Sequence, residues 1–156
     1  MLANVGSIMN AGVEIELNGQ IIRKKNVNWT IGGNVSFNKN ELISLSNDMY
    51  QLEYLNLGHM NHVQTYSHRL EEGWPVGNFY GYKDVGLRSQ GTQWRIEGAE
   101  NSAAGEENKK IIGNGMPKVY AAFNTRVEFF GFDLTLSFRG AFKYNILNQY
   151  RMMYET

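Results

Sequence analysis

Near the start of the chain, apolar and polar side chains alternate strictly. Val13, Ile15 and Leu17 are apolar, and the residues between them are polar. Successive side chains of a β-strand point to opposite faces of the sheet, so a period of two predicts a strand with one apolar and one polar face. After a polar turn at 23–26 the alternation resumes over 29–38. The two segments therefore predict an antiparallel hairpin.

A second pair of alternating segments lies towards the other end of the sequence. The segments cover 119–129 and 132–142, and only Phe130-Gly131 separates them, which predicts a second hairpin with a very short connection. Each of the four strands has about ten to twelve residues, whereas a globular strand averages about five or six. Tilted strands that cross a membrane in a β-barrel have this greater length.

Two weaker segments, 61–69 and 76–87, predict a third strand pair joined through 70–75. The short connections then lie at one side, and the longer stretches 46–60 and 88–117 lie at the other. Outer-membrane barrels have short periplasmic turns and long extracellular loops, an asymmetry that a soluble sandwich does not require. The expected fold is therefore all-β, an antiparallel transmembrane β-barrel segment of about six strands.

Such a segment is too small to be a whole barrel. Membrane barrels need at least about eight strands, and an open sheet edge in lipid leaves backbone groups without partners. We therefore expect residues 1–156 to be one unit and part of a larger barrel. The start of the chain shows no basic segment followed by an apolar core, so an export signal is expected upstream.

Aromatic side chains beside the short turns favour a membrane location. Membrane barrels carry girdles of aromatic residues at both interfaces with water. We predict that such a girdle is formed by Trp29, Phe129, Phe130 and Phe132. Ordinary packing of these rings within a soluble protein is the alternative.

Four more aromatic residues stand near predicted turns or loops and are candidate substrate contacts, because aromatic rings can stack on sugar faces. They are Trp74, Tyr80, Tyr82 and Trp94. For the first three, packing within strands or at the membrane interface is the favoured alternative.

Composition excludes several classes of protein. Lys plus Arg and Asp plus Glu both number 15, so no net charge attracts nucleic acid. The absence of cysteine excludes disulfides, thiolate zinc sites and thiol nucleophiles. No apolar run approaches the roughly 18 residues of a membrane-spanning helix. Alternating barrel strands keep mean hydropathy low, and here it is −0.42.

No residue pattern in the chain predicts catalysis, a cofactor or a metal. The spacing of His59, His62 and His68 does not bring three ligands together on one strand, so loop or lumen positions are the better interpretation. Neighbouring glutamates at 71–72 and 106–107 point to opposite faces of an extended chain. Nucleophile elbows, phosphate-binding loops and dinucleotide fingerprints are absent from the sequence. We expect the protein not to be an enzyme.

Four segments resemble the SusC/RagA type of TonB-dependent outer-membrane transporter, in the order and approximate spacing of that family. The segments are Asn4 to Glu14, Trp29 to Asn40, Gly73-Trp74-Pro75-Val76-Gly77 continuing to Tyr82, and Ile112-Gly113-Asn114-Gly115-Met116-Pro117-Lys118 leading to Phe132-Asp133-Leu134. They span nearly the whole chain. The stretch 94–98 departs from the family, whose members often have a loop rich in Asp and Gly there.

This resemblance implies a late portion of a large plugged barrel in the bacterial outer membrane, with the plug domain and the final strands outside the chain. It implies active import of oligosaccharides or peptides, energised by the TonB complex, usually beneath a SusD-like surface lipoprotein. Residues that contact TonB are then expected outside residues 1–156. The identity of the nutrient depends on the lumen, the plug and the surface lipoprotein that covers the barrel.

A soluble carbohydrate-binding β-sandwich is the main alternative, and a porin or adhesin barrel is a weaker one. In a sandwich the apolar face of each sheet packs against the other sheet, and loop aromatics hold sugar. Val119, Phe123, Leu134 and Phe138 would then be buried. In a membrane barrel the same side chains lie on the convex outer surface.

Overall fold

The structure is a computed structural model that describes residues 6–45, 53–61, 64–87, 93–100 and 102–154. Its elements are β1 (Ser7–Lys24), β2 (Val27–Ser44), β3 (Tyr54–Met60), β4 (Thr65–Glu71), β5 (Asn78–Tyr82), β6 (Asp84–Leu87), β7 (Trp94–Ile96), β8 (Lys109–Asn114), β9 (Val119–Phe129), β10 (Phe132–Phe142) and α1 (Gln149–Tyr154). A short 3-10 turn covers Glu106–Asn108. Within the described ranges, no helix has the length and apolar character needed to span a membrane.

The chain divides into two compact units. One unit consists of Asn10–Asn40 and Pro117–Tyr144. The other consists of Met1–Met9, Glu41–Met116 and Asn145–Thr156. The expectation that residues 1–156 form one part of a larger barrel stays a prediction.

The long sheet has the strand order β1-β2-β9-β10 and contains both predicted hairpins. Val27 and Phe132 are both register partners of Phe129. The Phe130 N–H donates to the Asn26 carbonyl at 2.9 Å, so the two short turns lie side by side at one end of the sheet. Phe130 and Gly131 have φ of 45° and 90°, the left-handed backbone that two-residue hairpin turns require.

The register of the long sheet separates two faces of opposite chemistry. On one face the cross-strand neighbours of β2, β9 and β10 are apolar apart from Thr125 and two glycines. The other face carries amide, hydroxyl and charged side chains from the same strands. A Cβ on Gly32 would collide with Asn18 of β1 and Asn124 of β9, which places the polar residues of β1 on the polar face as well. The predicted alternation is confirmed.

The lengths of the four strands differ from the expectation in part. β9 and β10 have 11 residues each, as the alternation predicts. β1 and β2 have 18 residues each and continue beyond the segments in which the alternation is strict.

The short sheet has the strand order β3-β4-β5-β8. β3 and β4 form a hairpin that is paired along most of its length. β4 and β5 share a single register pair, His68 with Phe79, and a bulge between Phe79 and Tyr80 interrupts the pairing of β5 with β8. β6 and β7 form a separate two-stranded ribbon.

The third predicted strand pair is not part of the long sheet. Its strands correspond to β4 and β5 of the short sheet, and the strand predicted over 76–87 is divided into β5 and β6. The predicted loop at 46–60 contains β3, and the predicted loop at 88–117 contains β7 and β8. β7 has only three residues, and the six residues of β8 do not alternate between apolar and polar, so neither shows a period of two. Residues 46–52 lie outside the described ranges.

Buried apolar side chains are concentrated in one of the two units. Among the described residues they are Leu42, Leu45, Met60, Phe79 and Ala99. All of them belong to the unit that includes Glu41–Met116. The described part of the other unit has no buried apolar side chain, although its strands carry many apolar residues.

Candidate functional site

The apolar face of the long sheet is open to the surroundings. Leu134, Phe138 and Phe123 are 58%, 60% and 46% exposed, and Phe132 reaches 82%. Val119 is half-buried. A sandwich would bury these side chains against a second sheet, so their exposure favours a surface that faces an apolar environment outside the described chain.

Polar groups on this apolar face have partners within the sheet. The indole N–H of Trp29 donates to the Thr125 hydroxyl at 2.9 Å. The Thr125 hydroxyl in turn donates to the Thr30 carbonyl at 3.2 Å. In hydrocarbon, an unsatisfied donor or hydroxyl costs several kcal/mol, so such pairing makes the face compatible with lipid.

The predicted girdle residues lie at the same end of the long sheet. Phe129 and Phe130 pack edge to face with centroids 4.7 Å apart, and Phe132 begins β10 directly after their turn. Trp29 stands two residues along β2 from Val27, the partner of Phe129. The structure therefore brings Trp29, Phe129, Phe130 and Phe132 together near the short turns. Their role as an interfacial girdle stays a prediction.

On the polar face, charges cluster near the same turns. Glu128 and Asp133 are directly opposite each other in the register of β9 and β10. Arg126 lies 3.0 Å from Glu128 and 3.8 Å from Asp133, and Asn28 donates to Glu128 at 3.0 Å. Like charges facing each other across strands repel, and Arg126 offsets that repulsion. Because these side chains are exposed, each ion pair contributes little to stability in water.

A second candidate site lies on the short sheet, where β4 and β5 separate on either side of their single pair. The gap holds a pocket of about 380 Å³, called here the aromatic pocket, lined by Met60, Thr65, Tyr66, Ser67, Phe79, Tyr80, Gly81, Tyr82, Lys109, Ile112 and Leu147. A pocket of about 270 Å³, called the polar pocket, is lined by Asn56, Gln64, Thr65, Tyr66, Arg69, Tyr80, Glu106 and Lys109. Four residues line both pockets, so the two are neighbours.

Arg69 is one of the two cations that line the polar pocket. Its guanidinium carbon lies 4.1 Å from the ring centroid of Tyr54 and 3.8 Å from that of Tyr80. Its Nε donates to the Asn56 side-chain oxygen at 3.2 Å. Cation–π contact with two rings and the bond to Asn56 together restrict the position of the guanidinium.

Lys109 crosses the gap from β8 towards β4. Its side chain is only 12% exposed, and its ammonium lies 2.5 Å from Glu106 and 3.4 Å from the Thr65 hydroxyl. The ammonium also lies 5.3 Å from the ring centroid of Tyr82. These contacts hold a cation at the boundary between the two pockets.

The four predicted substrate contacts have different surroundings. Tyr80 and Tyr82 of β5 line the aromatic pocket. Trp74 is half-buried in a turn. Its backbone N–H donates to the Glu71 carbonyl at 3.1 Å, and its carbonyl accepts from the Leu42 backbone N–H at 2.9 Å. Trp94 begins β7, is 64% exposed and does not line either pocket. Substrate contact by these residues stays a prediction.

Sequence reasoning missed Arg69, Lys109 and Tyr54 as parts of a site. The loop predicted at 46–60 includes Tyr54, and Lys109 begins a strand whose residues do not alternate. Tyr54 approaches Arg69 through the β3–β4 hairpin, whereas Lys109 comes from β8, which is distant from β4 in sequence. The sequence shows no signal for that arrangement.

The histidines pack against aromatic rings. His59 contacts Tyr66 and His68 contacts Phe79, with ring centroids 4.9 and 5.0 Å apart. His68 Nδ1 also lies 2.6 Å from the Ser67 hydroxyl, and burial lowers the pKa of His68. His62 lies outside the described residues. Within the described ranges, no group of three potential metal ligands occurs.

Comparison with known proteins gives a consistent result. No family model matches the chain. Over 94% of its length the chain is 26% identical to a TonB-dependent receptor of Formosa agariphila, and over 54% it is 33% identical to another receptor of that organism. Over 90% of its length it is 24% identical to TonB-dependent receptor SusC of Bacteroides thetaiotaomicron.

The curated homologues of this chain are TonB-dependent receptors. The chain spans only 16%, 7% and 14% of the length of these three relatives. Its antiparallel all-β fold agrees with a fragment of a TonB-dependent receptor. The resemblance to SusC seen in the sequence is therefore confirmed.

Proposed function

We propose that this chain is a late part of the barrel wall of an outer-membrane transporter that imports oligosaccharides or peptides with energy from TonB. The observation that carries the proposal is the exposed apolar face of the long sheet. An 11-residue strand tilted by about 40° rises roughly 26 Å, which matches the apolar band of about 25 Å on membrane barrels. In this arrangement the apolar face meets lipid and the polar face lines the lumen.

The edges of the long sheet support the same proposal. β1 and β10 each have one neighbouring strand in the long sheet. An unpaired edge in lipid would leave a row of backbone donors and acceptors without partners. Neighbouring strands from the rest of a barrel would satisfy both edges. The plug domain and the final strands would then be supplied by the longer protein.

The topology of the connections supports an orientation in the membrane. The two short turns lie at one end of the long sheet, and the chain between Ser44 and Val119 leaves from the other end. Barrels of this class have short periplasmic turns and long extracellular loops. The short sheet would therefore belong to an extracellular region, in reach of nutrient and of a SusD-like lipoprotein. TonB would bind through regions outside the chain.

Lipid exposure can be tested with a matched pair of spin labels. The chain contains no cysteine, so Phe138→Cys and Ser137→Cys each add one labelling site in the complete protein, after removal of any cysteines elsewhere. In vesicles, a label at 138 should be accessible to oxygen and shielded from a water-soluble nickel complex, and a label at 137 should show the reverse. A sandwich would make the label at 138 inaccessible to both reagents.

Transport is tested separately in cells. Uptake of a labelled nutrient oligosaccharide or peptide should require both the complete protein and TonB. Normal uptake after deletion of the gene would contradict the transport proposal, whatever the spin labels report.

A further inference from the structure

We propose that the aromatic and polar pockets form one binding site for an acidic oligosaccharide. A sugar ring would occupy the aromatic pocket, and its carboxylate would bind Arg69 and Lys109. This inference rests on the proposed function, because it names the class of nutrient that the extracellular region would contact. The two pockets adjoin, since they share Thr65, Tyr66, Tyr80 and Lys109, and an extended ligand would span both.

The charge of the polar pocket fits one carboxylate. Its lining contains Arg69, Lys109 and Glu106, which sum to one positive charge. Lys109 is paired with Glu106, whereas Arg69 has no carboxylate partner among the residues that the structure describes. An anionic group on the ligand would complete this arrangement through charge-assisted hydrogen bonds.

The geometry of Arg69 favours a planar anion. The ring centroids of Tyr54 and Tyr80 lie 4.1 and 3.8 Å from its guanidinium carbon, and Asn56 accepts from Nε. The other N–H groups form a planar fork, which suits bidentate binding of a carboxylate. Because the protein has already ordered this side chain, binding loses little conformational freedom.

The aromatic pocket favours a sugar as the bearer of that carboxylate. Its lining combines the rings of Tyr66, Tyr80 and Tyr82 with the hydroxyl of Thr65 and the ammonium of Lys109. Binding sites for small molecules commonly combine apolar and aromatic walls with a few polar groups. Sugar rings present both apolar C–H faces and hydroxyl edges, so such a lining matches both.

The test measures binding of a galacturonic acid tetramer and a neutral galactose tetramer to the complete protein in detergent by calorimetry. The acidic tetramer should bind, with an affinity that falls as salt is raised, and the neutral tetramer should bind at least about tenfold more weakly. Equal binding of the two tetramers would overturn the inference. Equal binding of an aspartate tetrapeptide would overturn the assignment to a sugar.

Variants of Arg69 test whether the acidic tetramer binds at the proposed site. Arg69→Gln should weaken binding of the acidic tetramer about tenfold or more, and Arg69→Lys, which keeps the charge but loses the fork, should give an intermediate loss. Lys110→Gln is the matched control, since it removes a neighbouring positive charge that pairs with Glu97 and lines neither pocket. Unchanged binding in folded Arg69→Gln and Arg69→Lys would overturn the site.

Uptake distinguishes this inference from the proposed function. If the acidic tetramer does not bind but TonB-dependent uptake of a neutral nutrient requires the protein, the inference fails and the transporter proposal stands. If no uptake depends on the protein, the transport proposal itself fails, whatever the tetramer binding and the spin labels report.

Discussion

The long sheet and the short sheet use apolar side chains in opposite ways. In the long sheet, large residues such as Phe132 and Phe138 form a regular, exposed face. In the short sheet, Met60 and Phe79 are buried although the strand pattern is irregular. A regular period of two produces one continuous apolar face, and the exposure of that face favours an apolar environment outside the described chain. In the short sheet, the burial of Met60 and Phe79 indicates that apolar side chains pack against other residues of the same chain.

The polar groups of the two sheets also differ in their burial. Asn78 of the short sheet is 2% exposed and accepts a hydrogen bond from Asn114 at 2.8 Å. Charged groups of the long sheet, such as Arg126 and Asp133, remain exposed on the polar face. The short sheet therefore depends on internal hydrogen bonds, and the long sheet depends on the environments of its two faces.

The largest expected effect is a charge placed on the apolar face of the long sheet. Leu136→Arg should lower the free energy of unfolding of the complete protein in lipid vesicles by about 2–4 kcal/mol, the cost of Arg near the middle of a bilayer. The matched control is Ser137→Arg, because residue 137 belongs to the polar face. Urea titrations measure both. Equal losses for the two variants would show that the faces do not differ in environment.

The second largest expected effect is a loss of stability in the short sheet that leaves the long sheet unchanged. The Asn114 side chain donates to Val76 and Asn78 and accepts from the Met116 N–H. Asn114→Ala should lower the opening free energy of the short sheet by about 2–3 kcal/mol, because buried groups lose partners. Hydrogen exchange should accelerate in β5 and β8 and remain unchanged in β9.

The exposed Asn34 on β2 provides the control for that experiment. Asn34→Ala should leave exchange in both sheets unchanged. Faster exchange in β9 of the Asn114→Ala variant would mean that the two sheets do not open independently.

A smaller effect tests the short turn of the long sheet. Gly131 has φ of 90°, and its Cβ would meet no atom within 4 Å, so Gly131→Ala should cost about 1 kcal/mol through backbone strain alone. Gly19→Ala is the control, since Gly19 also has open space but lies within β1 without a positive φ. The same urea titrations compare them, and no difference would contradict the left-handed turn.

The smallest expected effect is a pH dependence confined to the short sheet. Burial lowers the pKa of His68 below the usual value of 6.5, so the folded sheet binds a proton less readily than the unfolded chain. Above pH 6.5 both states are neutral and His68 makes no difference. As pH falls from 6.5 towards the folded pKa, the short sheet should lose stability.

Hydrogen exchange in β4 measures this pH dependence. His68→Gln should reduce the acceleration seen between pH 7.5 and pH 5.5, whereas exchange in β9 should have the same pH response in both proteins. An unchanged acceleration in the variant would assign the effect to other groups.

Part of the candidate site was predictable from sequence. Trp29, Phe129, Phe130 and Phe132 were identified because they stand beside turns whose positions the alternation defines. Tyr80 was identified as an aromatic residue near a loop, but its contact with Arg69 was not. The side chains that meet Arg69 come from β3 and β5, and no local pattern specifies which strands pair.

The sequence by itself determined the two hairpins of the long sheet, their faces and their short turns, because side-chain alternation and turn residues act over a few neighbouring positions. Its similarity to TonB-dependent receptors was also present in the residues themselves. The pairing of β2 with β9, and the separation of β4 from β5 beside Arg69 and Lys109, are visible only in the folded chain. β2 and β9 are far apart in sequence, and β4 and β5 diverge after one register pair, so burial and hydrogen bonding select among arrangements that local patterns leave open.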